Sequence, residues 1–320
     1  MSLKTLHSSE SLTIGFVGLG VMGVPMASHL GEAGHRVQGF DVAPVALERL
    51  QAAHGSATLC SSARQAAHGA DVVFTMLPNG RVVRDTVLAA DGIAAGLRAG
   101  AVLVDTSSSE PWLTRETAAA VTARGASMVD APVSGAQWGA EAADLVFMVG
   151  GADTDVQRVR PLLDVMGKQI FHLGPLGAGH TMKCLNNLVT AMTLTATAEV
   201  LATGTRCGLD PAVMTDVLNA STGGSWITRT HIHQRVISRR FDDPFKLELM
   251  LKDIGIALGV AREAGVDMPL CEAGHPLWQE ADRGQGPGVS VSELVRWIEQ
   301  REGVTITSGR HPMDTGPGAA

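Results

Sequence analysis

The sequence predicts an α/β domain followed by an all-helical domain, joined by a long helix. Up to about residue 175, apolar strand-like runs alternate with helix-like stretches, the pattern of a sheet with helices on its faces. After the break Gly174-Pro175-Leu176-Gly177-Ala178-Gly179, every periodic stretch is helical. The length of 320 residues is enough for two domains with separate cores.

The first strand, Thr13–Val17, runs directly into Gly18-Leu19-Gly20-Val21-Met22-Gly23 and then a small-residue helical pattern. This is G-x-G-x-x-G between a buried strand and a helix N-terminus. Gly18 allows the tight turn, Gly20 lets the backbone approach a pyrophosphate, and Gly23 lets helix and strand pack closely. The unpaired N–H groups and dipole of the helix then meet the negative charge. A glycine-rich turn that binds nothing could carry the glycines alone. Here, however, the second strand, Arg36–Asp41, ends on Asp41, about twenty residues on, where a ribose-binding acid belongs. The spacing predicts a Rossmann-like dinucleotide site built on Gly18, Leu19, Gly20, Val21, Met22, Gly23 and Asp41. Asp41 would repel a 2′-phosphate, and Val42-Ala43-Pro44 offer no arginine to receive one. NAD is therefore expected over NADP unless Arg64 or Arg81 from a neighbouring loop supplies the charge.

Further strands are expected at Val72–Leu77, Ala101–Asp105, Ser127–Ala131 and Leu145–Val149, in a parallel sheet covered on both faces. Ligands of such sheets bind beyond the strand C-termini, at the topological switch point. The loops there are Leu77-Pro78-Asn79, Asp105-Thr106-Ser107-Ser108 and Asp130-Ala131-Pro132-Val133-Ser134-Gly135. Each could be an ordinary turn or N-cap, but three at one rim point to a site. In the helical half, an Ala- and Thr-rich helix from about 180 to 206 precedes Pro211–Asn219, Gly224–Arg239, Leu247–Ala264, Pro269–Arg283 and Val291–Gln300. Asp210 is placed to cap the helix that Pro211 opens. The expected boundaries are 12–176, 177–305 and a Gly/Pro-rich, disordered tail at 306–320.

A net charge of −7 with no basic run argues against a nucleic-acid surface. Cys60, Cys184, Cys207 and Cys271 lie far apart with no C-x-x-C pair, which predicts reduced thiols in a cytoplasm and neither a disulfide framework nor a metal site. Residues 1–11 lack the apolar core of a signal peptide. The apolar stretch Leu188–Leu201 is interrupted by threonines and a glutamate, and is expected to be a buried helix with no membrane span.

The chemistry concentrates at the start of the long helix. Lys183, Asn186 and Asn187, at i, i+3 and i+4, put an amine and two amides on one helical face. Burying a lysine among small apolar residues is costly unless it has a partner or a task. A surface lysine at a helix start is the plainer reading of the same spacing. For Lys252-Asp253, the residue pattern alone favours a solvated charge pair.

Taken together, these motifs resemble the β-hydroxyacid dehydrogenases, the group of 3-hydroxyisobutyrate dehydrogenases, tartronate semialdehyde reductases and glyoxylate/succinic semialdehyde reductases. The resemblance spans about 12–305. It rests on Gly18 to Gly23, on Asp130-Ala131-Pro132-Val133-Ser134-Gly135, on Gly177-Ala178-Gly179 leading to Lys183 and Asn186-Asn187, and on Phe245 followed by Lys252-Asp253. It implies NAD(P)-linked hydride transfer between a short 3-hydroxy acid and its semialdehyde, without a metal. Lys183 would be the general acid/base and Asn187 its orienting partner. Ser134, Gly135, Ala136, Asn186 and Phe245 would bind substrate. Leu77, Pro78, Asn79, Ser108 and Lys252 would contact the cofactor. An NADPH-dependent semialdehyde or glyoxylate reductase and a non-catalytic dinucleotide-binding subunit are the alternatives; the retained Lys183 and Asn187 count against the second, and imine reductases of this scaffold usually replace the lysine. A homodimer or homotetramer is expected, with no nucleic-acid or membrane partner. Two departures leave the substrate open. Ala136, followed by Gln137 and Trp138, stands where the family commonly has a second glycine, and Ala143-Asp144-Leu145 where it commonly has Gly-Thr-Leu. Trp138 either limits substrate size or packs away from the pocket.

Overall fold

The computed structural model describes residues 11–309. It divides into two compact units, one ending at Cys184 and the other beginning at Leu185. The division falls inside the long helix, some residues beyond the glycine-rich break at 177.

The first unit runs β1 (Thr13–Val17), α1 (Gly23–Glu32), β2 (Arg36–Phe40), α2 (Pro44–Ala53), β3 (Thr58–Leu59), α3 (Ala63–Ala67), β4 (Val72–Thr75), α4 (Gly80–Leu88), α5 (Ile93–Gly96) and β5 (Val102–Asp105). It continues through α6 (Pro111–Thr122), β6 (Ser127–Asp130), β7 (Val133–Ser134), α7 (Ala136–Glu141), β8 (Leu145–Gly150), α8 (Asp153–Met166) and β9 (Gly167–Gly174) into α9 (Ala178–Arg206). The sheet order is β3-β2-β1-β4-β5-β6-β8-β7, with β9 pairing β8. β1 lies between β2 and β4, parallel to both, so the strand order reverses there and the switch point lies beyond Val17 and Thr75, which are register partners. The central strands are buried on both faces. Phe16 and Phe74 stack at 5.8 Å in one layer, while Val17, Val73 and Leu103 fill the opposite one.

The sheet is not wholly parallel, as the sequence had suggested. β8 pairs antiparallel with both β6 and β7. A parallel return needs a crossover of about a dozen residues or more, usually carried by a helix of several turns; between β6 and β8 the chain fits only two-residue β7 and the short α7. β3, β7 and β9 had no sequence signal. The first two are two-residue pairings, and β9 is a largely exposed edge strand without an apolar run.

In the second unit the rest of α9 is followed by α10 (Pro211–Ala220), the π-helical segment Ile227–Ile237, α11 (Leu247–Ala264), α12 (Pro269–Gln285) and α13 (Glu293–Glu302). Asp210 caps α10 as expected, accepting from the backbone N–H groups of Ala212 and Val213. The helix expected over Gly224–Arg239 is shorter and π-wound. α9 is not buried all round: Leu188, Leu194, Ala198 and Leu201 point inward, while Val189 and Val200 are exposed. Trp278 of α12 is fully buried and its indole N–H donates to Thr195 Oγ1 at 3.0 Å. Contrary to the expectation from sequence, residue 306 is not part of a disordered tail. Ile306 is fully buried and its N–H donates to Glu299, while Ser308 donates to the Asp210 carboxylate. The expectation for 310–320 lies outside the described residues. Among the described residues no helix is long and apolar enough to cross a membrane.

Candidate active site

In the first unit the glycine loop has the geometry a phosphate needs. A Cβ on Gly23 would collide with the Gly18 carbonyl, whereas one on Gly20 would meet nothing within 4 Å. The loop is therefore packed on its inner side and open on its outer side. No side chain caps the N-terminus of α1, leaving its first-turn N–H groups free of an intramolecular side-chain acceptor. Asp41 does more than the ribose role predicts. Its Oδ2 accepts from Leu19 N–H at 2.7 Å and its Oδ1 from Ala43 N–H at 2.8 Å. The carboxylate thus braces the loop to the end of β2. Each oxygen has a further lone pair for a ribose hydroxyl. An open loop, an uncapped helix and this acid fit a dinucleotide.

At the rim, Leu77 N–H donates to Ser107 Oγ at 2.9 Å, and Asn79 Oδ1 caps α4 through Val82 N–H at 2.9 Å. The structure thus gives Asn79 the local capping role at least. Pro78 is exposed and Ser108 half-buried. Ser134 ends β7, and Gly135 (φ +136°) precedes α7. Ala136, the first residue of α7, and Ala143, just past its end, lie at φ +53° and +52°, the left-handed region. Holding alanine there costs roughly 1–2 kcal/mol each. Trp138 is 51% exposed and shares a surface depression of about 350 Å³ with Ser134, Gly135, Asp144 and Lys168. Lys168 Nζ and Asp144 Oδ2 pair at 2.6 Å on its border.

Lys183 lies in the second turn of α9 and is 8% exposed, so the surface-lysine reading fails. Asn187 follows one turn on, 6% exposed. In the second unit Asn187 Nδ2 donates to Asp253 Oδ2 at 2.6 Å, and Asn186 Nδ2 donates to Asn187 Oδ1 at 3.2 Å. Lys252 Nζ lies 3.1 Å from Asp253 Oδ1. Asp253 is 1% exposed, so Lys252-Asp253 is no solvated pair. A buried carboxylate is tolerable only with such partners, and it brings Asn187 and Lys252 together. Asp253 is the functional candidate the sequence reading left aside; its signal was the charge pair with Lys252. Phe245 is half-buried just before α11, its carbonyl accepting from Val291 N–H.

Among the described residues no group of His, Cys, Asp or Glu could hold a metal ion, and Cys60, Cys184, Cys207 and Cys271 form no disulfide. Residues 13–174 match a family model described as the NAD binding domain of 6-phosphogluconate dehydrogenase. Residues 177–298 match one described as NAD-binding of NADP-dependent 3-hydroxyisobutyrate dehydrogenase. The chain is 34% identical over 302 residues to the 2-(hydroxymethyl)glutarate dehydrogenase of Eubacterium barkeri, covering 94% of this chain and 99% of that one. It is 41% identical over 265 residues to a 3-hydroxyisobutyrate dehydrogenase of Pseudomonas aeruginosa, covering 80% and 88%. Among solved structures, the Mycobacterium tuberculosis 3-hydroxyisobutyrate dehydrogenase with L-serine superposes with a TM-score of 0.83 at 34% identity, covering 90% and 99%.

Proposed function

The chain belongs to the β-hydroxyacid dehydrogenases of the 3-hydroxyisobutyrate dehydrogenase type, NAD(P)-dependent oxidoreductases, and we propose that it oxidises a short acid bearing a CH₂OH group β to its carboxylate, with Lys183 as the proton-transferring residue. The observation that carries this reading is the burial of Lys183 one turn before an asparagine that is itself held by a buried aspartate.

The acids named for the relatives share one chemistry. 3-Hydroxyisobutyrate, 2-(hydroxymethyl)glutarate and serine each carry a primary alcohol β to a carboxylate and differ only in the group on the carbon between. Bound NAD supplies the hydride acceptor. The neutral amine of Lys183 takes the hydroxyl proton as the carbon–hydrogen bond breaks, and returns it in the reductive direction. Asn187, with its Nδ2 committed to Asp253, keeps its Oδ1 in one orientation toward its neighbours on α9. Ser134 and the Gly135 backbone hold the carboxylate, with Ala136 alongside. The resemblance assigns Asn186 and Phe245 to the substrate, and Leu77, Pro78, Asn79, Ser108 and Lys252 to the cofactor.

Asp41 supports NAD over NADP, since a carboxylate accepts from ribose hydroxyls and repels a phosphate. The depression that Trp138 shares with Ser134 supports a role in substrate size. The exposed Val189 and Val200 of α9 support a homo-oligomer, and four widely spaced cysteines without a C-x-x-C pair support a cytoplasmic setting. A panel of the three acids with NAD and with NADP tests the reading. It predicts turnover on at least one acid with a higher kcat/KM for NAD; no turnover on any of them overturns the substrate class.

A further inference from the structure

We infer that His180 is the positioning residue for Lys183, locking the first turn of α9 through the buried hydrogen bond of its imidazole to Thr114 of α6. The inference rests on the reading of Lys183 as the proton-transferring group.

α9 starts against the sheet because the chain allows it no other place. A Cβ on Gly179 would collide with the Met148 carbonyl of β8. The first-turn amides that a helix leaves unpaired are taken by a carboxylate from outside the helix. Asp130, at the end of β6, accepts from Gly177 N–H at 2.7 Å through Oδ1 and from His180 N–H at 2.8 Å through Oδ2. This fixes where the helix begins. It leaves a roll about the helix axis to be fixed, and that roll determines where Lys183 points.

His180 is the side chain placed to fix it. Its imidazole is fully buried. Nδ1 shares a hydrogen bond of 2.8 Å with Thr114 Oγ1 of α6, and Nε2 faces Asp105 Oδ2 of β5 at 3.6 Å. The Nδ1 edge is thus held by α6, while Nε2 lies beyond hydrogen-bond reach of Asp105 and has no hydrogen-bond partner; a roll of the helix would break the link to Thr114. Asp105 is itself immobilised: Oδ1 accepts from Thr75 Oγ1 at 2.9 Å and from Ser107 N–H at 3.0 Å, and Oδ2 from Ser109 Oγ at 2.8 Å. Ser107 Oγ in turn accepts from Leu77 N–H. Asp105 therefore ties the ends of β4 and β5 to each other beside His180, while Asp130 of β6 and Thr114 of α6 hold the first turn of α9. His180 and Lys183 stand at i and i+3, neighbours on one helical face. Asp105, Asp130 and His180 are each 1% exposed or less. Such groups are costly to bury where apolar residues would pack, and the place they specify is the reactive end of α9.

The test compares His180→Leu, His180→Asn and His180→Gln, using NAD and the acid ranked first in the panel above. Asn places its polar atoms near the Nδ1 position and keeps the link to Thr114; Gln reaches toward Nε2 and loses it. A misplacement of about 1 Å at a reacting group can cost on the order of 10²-fold in rate. We expect His180→Leu to lose at least about tenfold in kcat with NAD affinity and KM for the acid within about threefold of wild type. His180→Asn should recover most of that loss and exceed His180→Gln. Equal kcat in the Asn and Gln variants, or parallel losses in kcat and NAD affinity, would overturn the assignment, and that comparison stands even if the Leu variant fails to fold. Lys183→Met is run alongside. If it keeps its turnover, the reading of Lys183 fails on its own account, whatever the His180 variants do.

Discussion

At the scale of single residues, Ala136 and Ala143 are two of the four non-glycine residues held in the left-handed region, with Arg239 and Phe241 the others among the described residues. Placing glycine at either alanine removes roughly 1–2 kcal/mol of strain, against about 0.4–1 kcal/mol of added unfolded-state entropy. The double variant Ala136→Gly/Ala143→Gly should unfold at a higher denaturant concentration, the unfolding free energy rising by up to about 1.6 kcal/mol per site; a lower midpoint would show that the strain is not there. Asp41 holds the loop amide of Leu19, in addition to the ribose contact proposed for it. Asp41→Ala should therefore weaken NAD binding without a matching gain for NADP, and a clear gain for NADP in titrations would contradict the bracing role. In the second unit, burial pushes the His231 imidazole below the ordinary histidine value of 6.5; the Arg235 guanidinium adds to the effect and Asp243 opposes it. The unfolded chain then takes up a proton before the folded one does. The stability from this site is complete above about pH 6.5 and is lost as the pH falls toward the lowered folded value. Unfolding free energies should fall between pH 7.5 and 5.5, less steeply in His231→Phe; identical slopes would rule the site out as a source.

At the scale of elements, α9 was legible as a long helix because its Ala and Thr pattern has no breaker. The burial of Lys183 was not legible, since it depends on what packs over a helix face. The partnership of Asn187 with Asp253 was hidden for a related reason: 66 residues separate them, and only the fold brings α9 and α11 together. Asp253→Ala removes the acceptor of a buried hydrogen bond, at a cost of about 1–3 kcal/mol. It should also lower kcat by freeing Asn187, while Asp253→Asn, which keeps an acceptor, should lose less. A fall in stability with kcat untouched would leave Asp253 with a purely structural task. The antiparallel β8 was missed for want of a length argument, since the gap between β6 and β8 is too short for a full crossover. The π winding of Ile227–Ile237 has no signature in its residues that we can name.

At the scale of the whole molecule, the α/β-then-helical order and the glycine loop were readable from periodicity and spacing, because both are local. The division inside α9, the ordered Ile306 and the brace on Asp41 follow from tertiary contacts and were not. If the glycine loop holds NAD, the folded state gains about 2.7 kcal/mol at a cofactor concentration one hundred times Kd, and the thermal midpoint should rise with NAD.

The central claim is that Lys183 moves the proton. The direct measurement is kcat for wild type and Lys183→Met on the first-ranked acid across pH, with NAD affinity measured on the same preparations. Loss of about 10²–10⁴-fold in kcat with unchanged NAD affinity is the predicted result; near-wild-type kcat in Lys183→Met at every pH would contradict it.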